Sequence, residues 1–591
     1  MAILQLDAAL LHSAVMSACK TLIAQRQNLN AINLFPVADG DTGDNMAATA
    51  RSIVTYAKQQ PGLELTCKAL ADAGIMGARG NSGMIFSQFF NGFMDAFPLP
   101  ELLDTRSFAR LVNTAVQSVR AAILKPVDGT ILTVMEVWAA CLERNAAHTD
   151  CVVELVNQTL PEVHAAVEST RNTLAILREA QVEDAGALGF GFFVEGFASY
   201  LADPLPLDDE IEEVPVSENH QHEQPVLGNP PQNRYCTEAI IAGRQLNKSE
   251  IVSSLQEHGD SIVLTANQQL CRLHLHCNQP PAVFKILRQH GSIQSPKVED
   301  MLRQYQVMHE SRYRIALVTD SSVNIPQAIL DDFQIHLINL NVHYDGHDLL
   351  DRYCIESKDF YSSLSSLPSY PTTSFPAPAL IRERIEYLSV HYDQVLVLSV
   401  AKVLSGMHDA LCKVADNFSN VHVMDSRLVS GSQGLLLYYA AELIAEGMDI
   451  EAIKAALAER AGRTHLFVMV DQFDALIRSG RVSRLKGMFA RYSGVKPIIS
   501  FDPEGRAVIK DKAFGETKAL IKLVNIVTEL AKTSALDNYC IVHAGVPEKA
   551  AEFAAMTYEA FGQEPVFVEP VSTAIGLHAG QGCIALGAMF H

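Results

Sequence analysis

Positive charge is scarce in this 591-residue sequence: 46 Lys and Arg stand against 67 Asp and Glu, a formal net charge of −21. That balance argues against a general binder of nucleic acid or of anionic membrane, since both need a basic face. Any anionic ligand must be held by local geometry or by a metal. Cysteine forms no short-spaced framework, and 11 thiols scattered from Cys19 to Cys583 fit a reduced, cytoplasmic chain. The first residues, MAILQLDAALLHSAV, have no basic region before their apolar positions, so no secretory signal is expected. Long apolar runs are missing too. The longest, Ala187 to Ala202, is broken by Glu195 and falls short of the ~18 residues of a membrane span, leaving at most peripheral membrane contact.

What is present describes an ordinary folded protein, 48% hydrophobic and 19% charged. At roughly 100–200 residues per domain, the length predicts three to five domains. Over residues 1–203 apolar positions recur at helical spacing, as in Phe108, Leu111, Val112, Ala115, Val116 and Val119, and the pattern predicts about eight helices with almost no strands. Residues 204–233 are rich in proline and acid without a sustained period and read as a linker. Residues 234–312 alternate short β-rich runs with a helical stretch, a small α/β unit. From 313 to 591, buried-strand runs such as RIALVTDSS, QVLVLSVAK and VHVMDSR alternate with amphipathic stretches, which predicts parallel sheets covered by helices in two subdomains.

The segment NLFPVADGDTGDNMAA places Asp39 and Asp41 two apart on a Gly-rich loop before a helix. Two carboxylates there suit Mg²⁺, which completes its shell with water and phosphate oxygens. An EF-hand is excluded because the twelfth position from Asp39 is Ala50. The competing reading makes Thr42 or Asp44 a plain helix cap. A second segment, IMGARGNSGMIF, again runs into a helix, where backbone N–H groups beside Gly80 and Gly83 can receive phosphate. KPVDGTILT and EDAGALGF repeat the pattern, and four such loops favour a metal–nucleotide site over four unrelated caps.

These segments resemble the nucleotide-binding subunit of the dihydroxyacetone kinases (DhaL-like), and more closely the kinase component of bacterial fatty-acid kinases. The resemblance implies an all-α barrel of eight helices that binds ATP and Mg²⁺, with Asp39 and Asp41 as catalytic metal ligands. A third acid of the family falls at Leu34 here, leaving that ligand open between Asn33, Asp44 and water. Thr42, Gly43, Asn45, Ser82 and Gly83 would touch phosphates, and Gly129, Thr130, Asp184 and Gly186 would line the rest of the nucleotide pocket.

In the middle unit, His274 and His276 lie two apart, on one face of a strand, and Cys236 can supply a thiolate. Two half-buried polar histidines are the bland alternative. Fatty-acid kinase middle domains carry similar YCTE and HxHxN segments, and the resemblance implies a zinc ion on Cys236, His274 and His276; Cys271 and Cys277 read as structural.

In the last region, PTTSFPAP sets Thr373 and Ser374 between prolines in a loop, and STAIGLHAGQG sets His578 in a Gly-flanked turn. With VTDSSVNIP, VLSGMHDA, VMDSRLVSGSQG and FDALIRSGRVSRLKG, these resemble the DegV proteins, which include fatty-acid-binding components of fatty-acid kinase. The resemblance implies two α/β subdomains with a fatty acid between them, its carboxylate on Thr373, Ser374 and His578. Ala401 and Lys402 replace usual serines, and Phe375 a usual polar residue. Arg478, Arg481, Arg484 and Lys486 form a basic patch, read either as a docking surface or as solvated charge. Together the three regions resemble a fused fatty-acid kinase making acyl phosphate from ATP and a fatty acid, within one chain or across a homodimer. A kinase of a small hydroxylated substrate and a non-enzymatic lipid carrier or regulator are the rivals.

Overall fold

The structure, a computed structural model, describes residues 4–35, 40–204, 230–267, 269–364, 366–471, 475, 478 and 495–591. Asp39, Arg481, Arg484 and Lys486, with nearly all of the expected linker, lie outside these residues. The chain forms two compact units, residues 1–305 and 306–591.

The first unit begins with eight helices of 12 or more residues among those described: Ala8–Ala24, Thr42–Tyr56, Leu63–Gly77, Gly80–Asn91, Thr105–Ala122, Ile131–Asn145, Val152–Thr173 and Ala185–Ala202. Each packs on the next along the series except that Ala185–Ala202, after a short helix, returns to the first, Ala8–Ala24, and closes a ring. Capping carboxylates set several starts: Asp7, Asp104 and Asp184 each accept a backbone N–H three residues on, at 2.8 Å. The core is aromatic, with Phe86, Phe89, Phe90, Trp138, Phe190 and Phe193 all fully buried. Edge-to-face contacts join them, as between Phe89 and Phe190 at 5.5 Å. One expectation is corrected here. The helix Ala185–Ala202 has 18 residues and a mean hydropathy of 1.3, enough to cross a membrane, because helical order extends two residues before the apolar run. In this fold 67% of it is buried within the domain.

A four-stranded antiparallel sheet completes the unit: β1 (Tyr235–Ala242), β2 (Gly259–Ala266), β3 (Leu270–Cys277) and β4 (Ser292–Asp300), ordered β2-β3-β1-β4. Its register decides the site. Cys236 pairs with His276 and Glu238 with His274 across β1 and β3, while Glu299 and Lys297 on β4 oppose Cys236 and Glu238. With a period of two, all six side chains lie on one face.

The second unit holds a parallel sheet of β5 (Ile315–Asp320), β6 (His336–Ile338), β10 (Gln394–Ser399) and β11 (Val421–Asp425), as the buried-strand runs predict. Its other large sheet departs from expectation. There β12 (Thr464–Met469), β13 (Val495–Phe501), β14 (Ala507–Phe514), β15 (Leu536–His543) and β17 (Ile584–Phe590) pair antiparallel, and only β15 with β16 (Phe567–Pro570) is parallel. The short Asp-Pro-Glu-Gly turn after β13 leaves no room for a crossover helix, which a parallel neighbour needs. A small antiparallel sheet joins β7 (Asn341–Tyr344), β8 (His347–Leu350) and β9 (Thr372–Ser374).

Candidate functional site

In the first unit, two helix starts and the middle sheet enclose one cavity. The helical domain contributes Asn33, Asp41, Thr42, Asn45, Gly80, Asn81 and Ser82. The sheet contributes Cys236, Glu238, His274, His276, Lys297 and Glu299. Asp41 and Thr42 open the helix Thr42–Tyr56, and the Asp41 side chain makes no capping bond there. Gly80 opens the helix Gly80–Asn91 with φ +54°, and an added Cβ would overlap the Asn45 amide, so both conformation and space require glycine.

The Thr42 hydroxyl donates to Asn33 Oδ1, which brings Asn33 into the cavity. Asp44 is engaged elsewhere, by Arg26 at 2.7 Å and by the Asn30 amide at 2.8 Å. Gly43 and Gly83 serve close helix packing: a Cβ on Gly43 would overlap the Arg26 carbonyl, and one on Gly83 would come within 2.7 Å of the Asn45 carbonyl oxygen. The other two loops meet Ser82. A Cβ on Gly186 would stand 3.3 Å from both Ser82 Oγ and Asp184 Oδ1. The Asp184 carboxylate accepts backbone N–H groups of Ala187, Gly186 and Ile131, tying together the helices that follow Asp184 and Thr130. Burial nevertheless raises its carboxyl to about 7. Gly129 donates its N–H to Thr133 Oγ1 at 2.8 Å, and the Thr130 hydroxyl donates to the Val127 carbonyl.

On the sheet, potential ligand atoms of Cys236, His274 and His276 all lie within 4.8 Å of one another. His274 Nε2 and His276 Nε2 are 3.2 Å apart. Two nitrogens at 2.0–2.1 Å from a tetrahedral zinc stand roughly 3.3 Å apart, so the donor set fits that ion with a fourth position open. Burial pushes the Cys236 thiol well up, with Glu238 and Glu299 adding to it. Burial lowers His276 to about 3, helped by His274. Both effects keep the pair neutral until a cation arrives to take the thiolate and a nitrogen lone pair. The sequence pattern singles out neither Glu238 nor Lys297 and Glu299. Burial opposes the charge on Glu238, but the His274 hydrogen bond and the Arg272 and Lys297 charges outweigh it and hold the carboxyl well below its usual range.

In the second unit, a cavity of about 350 Å³ is walled by apolar side chains including Leu466, Val468, Val470, Ile499, Phe501 and Val542. Thr373, Ser374, Phe375 and His578 line it as well. Their local structure differs from expectation. Thr372–Ser374 is an edge strand paired with β7, allowed because Pro371 and Pro376 fall outside its ladder, and His578 ends a helix, Thr573–Ala579, rather than sitting in a turn. That helix is anchored by Asp351, which accepts the Ala574 N–H and the Ser321 hydroxyl. Phe375 packs against Gly406, Ala401 is buried and Lys402 is exposed. Arg478 is exposed, its guanidinium 5.7 Å from the centre of the Tyr370 ring.

Comparison with known proteins places three family matches along the chain. Residues 36–199 match the DAK2 domain, 232–308 the FakA-like middle domain of fatty acid kinase, and 314–591 the DegV family. An uncharacterized protein of Staphylococcus saprophyticus is 30% identical over 342 residues, 55% of this chain and 61% of its own. Protein YloV of Bacillus subtilis is 29% identical over 320 residues, 52% of this chain and 57% of its own. The chain thus spans little more than half the length of these curated relatives. Among solved structures, DegV of Bacillus subtilis, a fatty acid binding protein, is 27% identical, with 47% of this chain and 100% of that one covered at a TM-score of 0.44. A fatty acid binding DegV family protein of Streptococcus agalactiae is 25% identical, covering 47% and 99%, at 0.44. A DAK2 domain, a FakA-like middle domain and a DegV-family region follow one another here, so the chain is a multidomain fusion matching a fatty-acid kinase joined to a DegV-family protein.

Proposed function

We propose that this protein is a cytoplasmic fatty-acid kinase that transfers the γ-phosphoryl group of ATP to the carboxylate of a fatty acid, giving acyl phosphate and ADP. Residues 1–203 would act as the nucleotide domain, 234–312 as the middle domain and 313–591 as the acyl-binding region, with 204–233 as linker. The observation that carries this reading is the presence in one chain of two complementary sites. One cavity gathers Asp41, Thr42, Asn45 and Ser82 at two helix starts, and another is apolar with Thr373, Ser374 and His578 along it.

The chemistry needs no dedicated base. A fatty-acid carboxylate, with a pKa like that of the Asp and Glu side chains near ~4–5, is already ionised at neutral pH, so positioning and charge neutralisation do the work. In the nucleotide domain, Asp39 and Asp41 would hold Mg²⁺, which when bound neutralises phosphate charge. Thr42, Asn45 and Ser82 offer hydroxyl, amide and backbone donors to phosphate oxygens. Lys297 adds a positive charge to the same cavity. Cys236, His274 and His276 would hold Zn²⁺ beside it.

In the acyl region the tail dominates affinity. Each buried methylene contributes about 0.8 kcal/mol, so ten supply on the order of 8 kcal/mol. A charge-assisted hydrogen bond from Thr373, Ser374 or His578 adds roughly 1.5–3 kcal/mol and fixes which end faces the kinase chemistry.

Native mass spectrometry of gently purified protein, followed by MgATP and fatty acid, tests the reading. A co-purified fatty acid converted to acyl phosphate by the wild type and not by Asp41→Ala is the expected result. Retention of unmodified fatty acid at saturating MgATP would make the protein a lipid carrier. ADP release with dihydroxyacetone but not with fatty acid would make it a kinase of small hydroxylated substrates.

A further inference from the structure

Glu238 is the acid of the segment YCTE, and its side chain is 1% exposed. Its Oε1 accepts the backbone N–H of Gly80 at 2.6 Å and lies 3.0 Å from Nδ1 of His274. Its Oε2 accepts from Arg272 Nη2 at 3.1 Å. An ionised carboxylate has no proton to give, so His274 donates from Nδ1 and keeps the lone pair on Nε2. That choice orients the ring toward His276, whose Nε2 is 3.2 Å from it.

The same oxygen takes the first N–H of the helix Gly80–Asn91, a group that the Gly-rich segment otherwise turns toward a phosphate. Two donors therefore share one acceptor. A cation on His274 Nε2 draws density from the ring and makes Nδ1–H a stronger donor to Oε1. The hold on Gly80 N–H changes in consequence. A phosphate that attracts the Gly80 N–H acts on the same oxygen from the other side.

We propose that Glu238 is a positioning residue that couples the Cys236–His274–His276 site to the phosphate loop at Gly80, so that metal at one changes nucleotide affinity at the other, and the reverse. The proposal rests on the metal and nucleotide readings given above. A buried acid that only neutralised Arg272 would stabilise the fold without linking two ligands.

The test uses the full-length protein, zinc-loaded or zinc-stripped, with unbound metal removed. Metal content is read by inductively coupled plasma mass spectrometry, and calorimetry gives the affinity for a non-hydrolysable ATP analogue with Mg²⁺. Chelator competition gives zinc affinity with and without the analogue. In the wild type the analogue affinity should differ by at least about fivefold between the two forms, and zinc affinity should shift by the same factor. Glu238→Gln keeps the size but presents an amide N–H₂ to Arg272 or His274, and Glu238→Asp keeps the charge at shorter reach. Each should weaken zinc about 10–100-fold and bring the linkage ratio close to one. Equal analogue affinity in loaded and stripped wild type, or an unchanged ratio in both variants, overturns the coupling. Stripped and supplied protein that takes up no zinc overturns the metal reading instead, and zinc uptake without analogue binding overturns the nucleotide reading; the coupling falls with either.

Discussion

The carboxylate of Asp351 accepts the backbone N–H of Ala574 at 3.0 Å across 223 residues of sequence. This bond fixes the start of the helix whose last turn carries His578. Asp351→Ala leaves that buried N–H and the Ser321 hydroxyl without their acceptor, at about 1–3 kcal/mol. The second unit should melt earlier and bind fatty acid more weakly, through a displaced His578. Calorimetric fatty-acid titration beside thermal unfolding checks this; unchanged affinity would remove Asp351 from the site's support.

Wall and head-group substitutions should separate by size. Val468 faces the apolar cavity, and Val468→Asp places a charge where the acyl chain lies, so fatty-acid binding should be lost beyond detection. Thr373→Val removes one hydroxyl and should weaken binding only about three- to tenfold, as a hydrogen bond of roughly 1 kcal/mol implies. Equal losses in the two variants would contradict a tail-dominated site.

Asp184 predicts a pH dependence for the helical domain. Burial raises its folded carboxyl to about 7, above the ordinary ~3.9 of an unfolded Asp. The folded state therefore binds the proton more tightly, and stability falls as pH rises from about 4 through 7. Asp184→Asn keeps a good cap without titrating. Its stability relative to wild type should rise between pH 5 and pH 8. Trp138, the only tryptophan and 1% exposed, reports unfolding of this domain by fluorescence.

Gly80→Ala should damage both fold and nucleotide binding. A left-handed backbone at φ +54° costs an alanine about 1–2 kcal/mol, and the new methyl overlaps the Asn45 amide. Denaturant unfolding followed by Trp138 fluorescence should shift to lower midpoint, with nucleotide affinity reduced at least tenfold. Wild-type affinity in this variant would show that the Gly80 turn does not shape the pocket.

Much of this arrangement is legible in the sequence because it rests on local pattern. Helical spacing gives the helices of the first domain, and His274-x-His276 announces a shared face. Glu238 is legible only in part, since YCTE looks like an ordinary strand segment until β1 pairs with β3 and Gly80 arrives from 158 residues away. Lys297 enters the cavity for the same reason, through a register that no periodicity reveals. The antiparallel sheet around β12 and β17 reads as parallel from sequence because buried strands look alike whichever way their neighbours run. The edge strand at Thr372–Ser374 hides behind its flanking prolines, and the short helix that ends near His578 hides among its glycines.

The ring of helices has a consequence for how the chain is made. Ala8–Ala24 finds its neighbour Ala185–Ala202 only after nearly the whole domain has left the ribosome, so the earliest helix waits for the last. Until then the aromatic faces of Phe86, Phe89 and Trp138 lack Phe190 and Phe193, their partners on that final helix. Synthesis halted before residue 185 leaves an open, sticky arc, and the final helix acts as the keystone that makes the domain safe to release.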